Sequence, residues 1–236
     1  MSERFFLAAP PHEGRALLTG DEARHLVRVL RATIGDEVCV FAGTGVEWLA
    51  RIVQIGRDEV ALDVGAARPD AVAEGPPLVL AVALPKGERQ KWLVEKLTEL
   101  GVARLVPLVT ARGVAEATPA ALARLRRTVI EASKQCGRNT LLEIAAPATP
   151  AELLAQLDPG TWPLVADPAG PPLATIPRPA APGAILALVG PEGGFTPEEI
   201  AAAVAAGSTR ASLGPHVLRI ETAAIALAAR LAHAWC

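Results

Sequence analysis

From residue 78 onward, continuous apolar runs alternate with helix-period stretches, and that alternation confines the chain to a small set of architectures. Residues 78–84 carry no polar side chain and are bounded by Pro77 and Pro85, which suits a strand buried on both faces. Residues 105–109, 162–166, 184–189 and 210–213 read as further strands. Between and after them lie helical patterns over residues 88–100, 120–135, 151–157, 197–206 and 221–235, the first closed by Gly101. Residues 168–182 are a Pro-rich loop. The alternation predicts a largely parallel sheet with helices on both faces, an α/β domain spanning residues 78–236.

The first 70 residues read differently. Residues 37–41, 48–55 and 59–64 are short strands, with Ala42-Gly43-Thr44-Gly45 as a turn. A helix over residues 21–30 precedes them. Leu26, Val29 and Leu30 share one of its faces, and Arg24, Arg28 and Arg31 share another. Short strands with one helix predict a small β-barrel over residues 1–70. The small residues and prolines that follow make residues 71–77 the expected linker.

Charge sharpens the functional question. The net charge is -2, which by itself argues against a nucleic-acid partner. Residues 86–138, however, hold 11 basic and 5 acidic side chains, while residues 1–70 hold 8 and 11 and residues 139–236 hold 4 and 8. A basic middle is masked by acidic flanks. Such an excess is either a solvated face or a surface that meets phosphate. Only 3% of residues are aromatic, so stacking of many unpaired bases is not expected. The three cysteines, Cys39, Cys136 and Cys236, form no CxxC pair, so neither a metal site nor a disulfide framework is expected. The start of the chain has no signal-peptide pattern and no apolar run reaches membrane-spanning length. A cytoplasmic protein is the expectation.

Two strand-to-helix loops carry the chemistry. In the first, Leu188 and Val189 lead into Gly190-Pro191-Glu192-Gly193-Gly194-Phe195, and then Thr196, Pro197 and Glu199 specify a helix start through a capping box. Glycines here let a ligand approach bare backbone. Ligands of parallel sheets bind beyond the carboxyl ends of the strands. The second loop runs Ser212-Leu213-Gly214-Pro215-His216-Val217-Leu218-Arg219-Ile220-Glu221. Its apolar residues suit the wall of a flat-ring pocket, with Arg219 and Glu221 at the mouth. An Arg219 ion pair with a nearby carboxylate is the alternative. No P-loop, dinucleotide fingerprint, HExxH or GxSxG motif occurs. A cofactor with an adenine ring and no phosphate fits such loops. A third cluster, Lys134-Gln135-Cys136-Gly137-Arg138-Asn139, ends the basic helix with donors suited to phosphate or base edges; the helix dipole alone would also favour cations there.

Together these residues resemble one family. His25-Leu26-Val27-Arg28-Val29-Leu30-Arg31, Lys86-Gly87, residues 95–102, Gln135-Cys136-Gly137-Arg138-Asn139, the Gly190–Phe195 loop and Leu218-Arg219 with Glu221-Thr222-Ala223 all fit the ribosomal RNA small-subunit methyltransferase E family of the SPOUT superfamily. The resemblance spans nearly the whole chain. It implies S-adenosylmethionine-dependent methylation of uridine N3 in 16S ribosomal RNA. It also implies an N-terminal PUA-like barrel, a C-terminal SPOUT domain with a trefoil knot, and a homodimer formed through that domain. Carried over residue by residue, it places the cofactor on Leu188, Val189, Gly190, Glu192, Gly193, Gly194, Ser212, Leu213, Gly214, Val217 and Leu218. RNA would meet Arg24, Arg28, Arg31, Lys86, Lys134, Gln135 and Asn139, and the chemistry would fall to Arg138, Arg219 and Glu221. Lys134 replaces a Glu common in the family, and His216 replaces an Arg; both departures lie on the RNA side. The competing readings are an RNA-binding assembly factor without catalysis and another α/β transferase with an adenine cofactor.

Overall fold

A computed structural model describes residues 3–70 and 75–232. The chain divides into two compact units, Met1–Val72 with Ile130–Leu141, and Ala73–Val129 with Leu142–Cys236. Residues 71–74, which begin the expected linker, and 233–235 of the expected last helix lie outside the described residues.

The first unit contains five strands, β1 (Arg4–Phe6), β2 (Arg15–Thr19), β3 (Glu37–Phe41), β4 (Val46–Ile55) and β5 (Glu59–Pro69), in the order β1-β3-β4-β5-β2. Only the β1–β3 pair is parallel. Register shifts in the β4–β5 ladder mark bulges, which bend a sheet and let it curl around its core. Phe5, Leu18, Leu26, Val40, Ile52 and Leu62 fill that core. β5 extends to Pro69, and Ala67, Arg68 and Pro69 pair with β4.

The helix expected over residues 21–30 has two windings. Helix α1 (Gly20–Arg24) passes directly into a π-helical turn, His25–Val29, in which Leu30 N donates to His25 O at 3.2 Å. The wider turn breaks the predicted face. Leu26 remains buried, whereas Val29 is 64% exposed. Arg24, Arg28 and Arg31 are all exposed, Arg31 with a φ of +56°.

The second unit is built on a six-stranded sheet of β6 (Leu78–Val82), β7 (Arg104–Pro107), β8 (Glu143–Ile144), β9 (Thr161–Ala166), β10 (Ala184–Val189) and β11 (Thr209–Ala211). The order is β11-β9-β10-β6-β7-β8, and every pair is parallel, as the apolar runs require. Its helices are α2 (Arg89–Glu99), α4 (Pro150–Ala155), α5 (Pro197–Ala205) and α6 (Ile220–Ala232). Helix α3 (Pro119–Cys136) contributes its last turns, from Ile130, to the first unit. No helix among the described residues is long and apolar enough to cross a membrane.

Inside the first unit, a polar network is built around the end of α3. Asn139 is 3% exposed. Its amide oxygen accepts from Arg4, its amide nitrogen donates to Asp70 Oδ1, and its backbone N–H donates to Asp70 Oδ2 at 3.3 Å. Arg4 also pairs with Glu47 at 2.5 Å, and Cys39 Sγ lies 3.4 Å from the same Glu47 carboxylate. Burial first, and then the Glu47 charge, push the Cys39 thiol up to about 11. Cys39 should therefore stay a thiol at pH 8 and resist alkylation in the folded protein, whereas the exposed Cys136 should react. Peptide mapping after brief iodoacetamide treatment checks this: labelling of Cys39 before Cys136 would contradict it.

Candidate cofactor and RNA-methylation site

A cavity of about 290 Å³ opens where three loops leave the carboxyl ends of β9, β10 and β11. The β10 loop contributes Val189, Gly190, Glu192, Gly193 and Gly194, and the β11 loop contributes Leu213, Gly214, Val217 and Leu218. Nine of the eleven positions expected to hold the cofactor thus line one cavity. The other two do not reach it. Leu188 is wholly buried in the sheet core, and Ser212 uses its backbone to bind Pro171 O at 2.8 Å and Leu173 N at 2.9 Å. The β9 loop supplies Asp167 and Pro168 as a third wall, which sequence reading passed over as Pro-rich connector. The strand-end rule that selected the other two loops selects this one as well. Asp167 Oδ2 accepts from Arg210 Nε at 2.7 Å, which ties the β9 loop to β11.

The β10 loop is held from both ends. At its far end the expected capping box forms. Glu199 N donates to Thr196 Oγ1 at 3.2 Å, and Thr196 N donates to Glu199 Oε2 at 2.7 Å, a cap worth about 1 kcal/mol. Ala111 N donates to the other Glu199 oxygen at 3.0 Å, and Arg112 donates to Gly193 O at 2.8 Å, so the loop after β7 braces the glycines. At the near end, a Cβ on Gly190 would lie 3.0–3.2 Å from the ring of Phe195. Only a bare Cα lets the chain pass so close to that ring. Gly194 turns with φ +66°, a conformation that side chains disfavour.

The candidate chemical residues separate. Arg219 is exposed at the start of α6 and forms no ion pair among the described residues. Glu221 is 4% exposed. Its partner is Arg89, with Nη1 3.6 Å from Oε1, and not Arg219. Glu221 Oε2 is buried without a hydrogen-bond partner. Arg138 belongs to the other unit, half-buried, and its burial pulls the guanidinium below its usual range while Cys136 and Asp70 act the other way.

The expected RNA contacts are also sorted by the structure. Arg24, Arg28, Arg31, Lys86 and Gln135 are exposed. Two others are not free to meet a ligand. Lys134 forms an ion pair with Glu22 at 2.8 Å and lies over the Phe5 ring at 5.9 Å. Asn139 is committed to Arg4 and Asp70 as described. Among the described residues, no group of three or more His, Cys, Asp or Glu side chains is placed to hold a metal ion.

Comparison with known proteins bears on this arrangement. A family model described as the RNA methyltransferase domain matches residues 73–232, and the RNA methyltransferase PUA domain matches residues 18–64. The ribosomal RNA small subunit methyltransferase E of Synechocystis sp. is 34% identical over 215 residues, covering 89% of this chain and 70% of the relative. The enzyme of the same name from Mycobacterium tuberculosis is 32% identical over 231 residues, covering 93% and 87%. The crystal structure of a ribosomal RNA small subunit methyltransferase E from Neisseria gonorrhoeae, bound to S-adenosyl methionine, superposes with a TM-score of 0.89 at 28% identity and covers 100% of this chain and 98% of its own. With a PUA unit and a parallel α/β unit both matched, the chain belongs to the ribosomal RNA small subunit methyltransferase E family.

Proposed function

We propose that this protein transfers the methyl group of S-adenosylmethionine to N3 of a uridine in the 16S RNA of the small ribosomal subunit. One observation carries the reading. The cavity beyond the parallel sheet is walled by apolar side chains and bare glycine backbone, from the same two loops that carry the family pattern. That wall fits the group: its apolar side chains, Val189, Leu213, Val217, Leu218 and Ile220, suit a flat adenine, and the open space beside Gly194 and Gly214 suits a ligand held against main chain. S-adenosylmethionine supplies a sulfonium methyl that a nucleophile can take.

Uridine N3 carries a proton and is a poor nucleophile at neutral pH. Loss of that proton spreads negative charge onto O2 and O4, where guanidinium groups stabilise it. We assign that role to Arg138 and Arg219, and the departing proton to Glu221, whose buried Oε2 has no partner. Exposed Arg24, Arg28, Arg31, Lys86 and Gln135 are assigned to the RNA backbone. Residues 1–70 then form the RNA-facing module and 78–236 the transferase. The trefoil knot, the homodimer through residues 78–236 and the cytoplasmic setting belong to the same reading.

The test is incubation of the protein with S-adenosylmethionine and small ribosomal subunits that lack the modification, followed by mass spectrometry of the RNA nucleosides. A new 3-methyluridine is expected. A methyl group on any other nucleoside position would overturn the uridine assignment. Calorimetry separates the remaining case: no binding at millimolar S-adenosylmethionine, together with no methylation, would make the protein an RNA-binding assembly factor.

A further inference from the structure

Arg89, at the start of α2, lies between two carboxylates of different loops. Its Nη2 donates to Glu192 Oε1 at 3.4 Å, and its Nη1 lies 3.6 Å from Glu221 Oε1. Glu192 sits within the glycine loop after β10, and Glu221 in the first turn of α6 just past the second loop. Both loops wall the same cavity, and Arg89 is the side chain that reaches a carboxylate of each. Glu221 has Arg89 as its one ion-pair partner among the described residues, and its second oxygen has none. A buried carboxylate in that state depends on its single cation.

We propose that Arg89 is a positioning residue, a cationic clamp that sets the spacing of the two cofactor loops by holding Glu192 and Glu221 at once. This deepens the proposed function and rests on it where the cofactor is concerned. The contact distances are long for charge-assisted bonds, which run about 2.7–2.9 Å, so the clamp has room to tighten. Cofactor between the loops would draw them in and shorten both contacts. Arg89 itself does not line the cavity. It acts through the two loops, and its loss leaves Glu221 buried without a counter-charge.

The test uses Arg89→Met, which keeps length and apolar stem, and Arg89→Lys, which keeps charge. Arg89→Met should weaken S-adenosylmethionine binding about ten-fold and lower kcat about ten-fold or more, while KM for RNA stays within about two-fold. Arg89→Lys should recover most of both losses. A merely structural residue would lower the melting temperature without splitting kcat from KM and without rescue by lysine. Independently of any ligand, amide hydrogen exchange should accelerate in residues 190–194 and 220–222 of the free Arg89→Met protein. Wild-type affinity and turnover in Arg89→Met, equal defects in the Met and Lys variants, or unchanged exchange in both loops would each overturn the clamp. Should wild-type protein itself fail to bind S-adenosylmethionine, the functional reading falls, and the exchange experiment still decides the clamp.

Discussion

Replacing Arg138 by alanine should lower methyl transfer by about 100-fold or more while leaving S-adenosylmethionine affinity unchanged, as removal of one donor to a developing oxyanion does elsewhere. The reaction creates charge on the pyrimidine oxygens, and a group that meets it must be cationic at every working pH. Arginine satisfies this even when burial lowers its pKa, as it does here. The position favours reach as well. Gly137, with φ +83°, ends the helix, and Arg138 follows it half-buried. Arg138 is not among the residues that wall the cofactor cavity, which is why cofactor affinity should not follow activity. Arg138→Lys keeps the charge but loses the planar fork, so its rate should fall between wild type and alanine. Single-turnover kinetics on small subunits, paired with calorimetry, separate the two quantities. Full turnover in Arg138→Ala would remove Arg138 from the chemistry.

Gly190→Val should act on the opposite quantity. A Cβ there meets three ring carbons of Phe195 at 3.0–3.2 Å, and valine adds two methyl groups beyond it. Either the ring swings into the cavity, which it also lines, or the end of β10 shifts. Overpacking of this kind costs about 1–3 kcal/mol. Taken from cofactor binding, that is roughly 5- to 150-fold in Kd, since about 1.4 kcal/mol is a factor of ten. The partner variant Gly190→Val with Phe195→Ala relieves the clash and should regain part of the affinity. Calorimetry reads both. If Gly190→Val bound S-adenosylmethionine as tightly as wild type, the near approach of Gly190 and Phe195 would have no part in forming the cavity.

Much of this was readable from residues. Residues 184–189 form β10 with the expected bounds, and Thr196, Pro197 and Glu199 start α5 as their types dictate. Those signals are local: an apolar run, a capping box, a proline at the first helical position. What escaped was either too short or too distant. β1 and β8 are three and two residues long, below the length at which alternation can be recognised. Ala67 and Arg68 lie beyond the expected strand over residues 59–64 because no large apolar side chain marks them; pairing with β4 makes them strand. Val29 moved to the surface because a π turn replaced an α turn, and no residue type announces that change. Lys134 and Asn139 looked free because Glu22 and Asp70, their partners, are 112 and 69 residues away in sequence. Arg89 carried no motif at all, and its meaning comes from Glu192, 103 residues on, and Glu221.

The return of Ile130–Leu141 to the first unit has a consequence for how such proteins can be recombined. A fragment ending near residue 72 would take Arg4, Glu22 and Asp70 with it and leave Lys134 and Asn139 behind. Buried polar groups deprived of partners cost more than they contribute when paired. The first unit is therefore not a cassette that a single crossover can exchange. Grafting it between relatives requires two breakpoints, with the twelve-residue return carried along or the Arg4, Asp70 and Asn139 positions changed together.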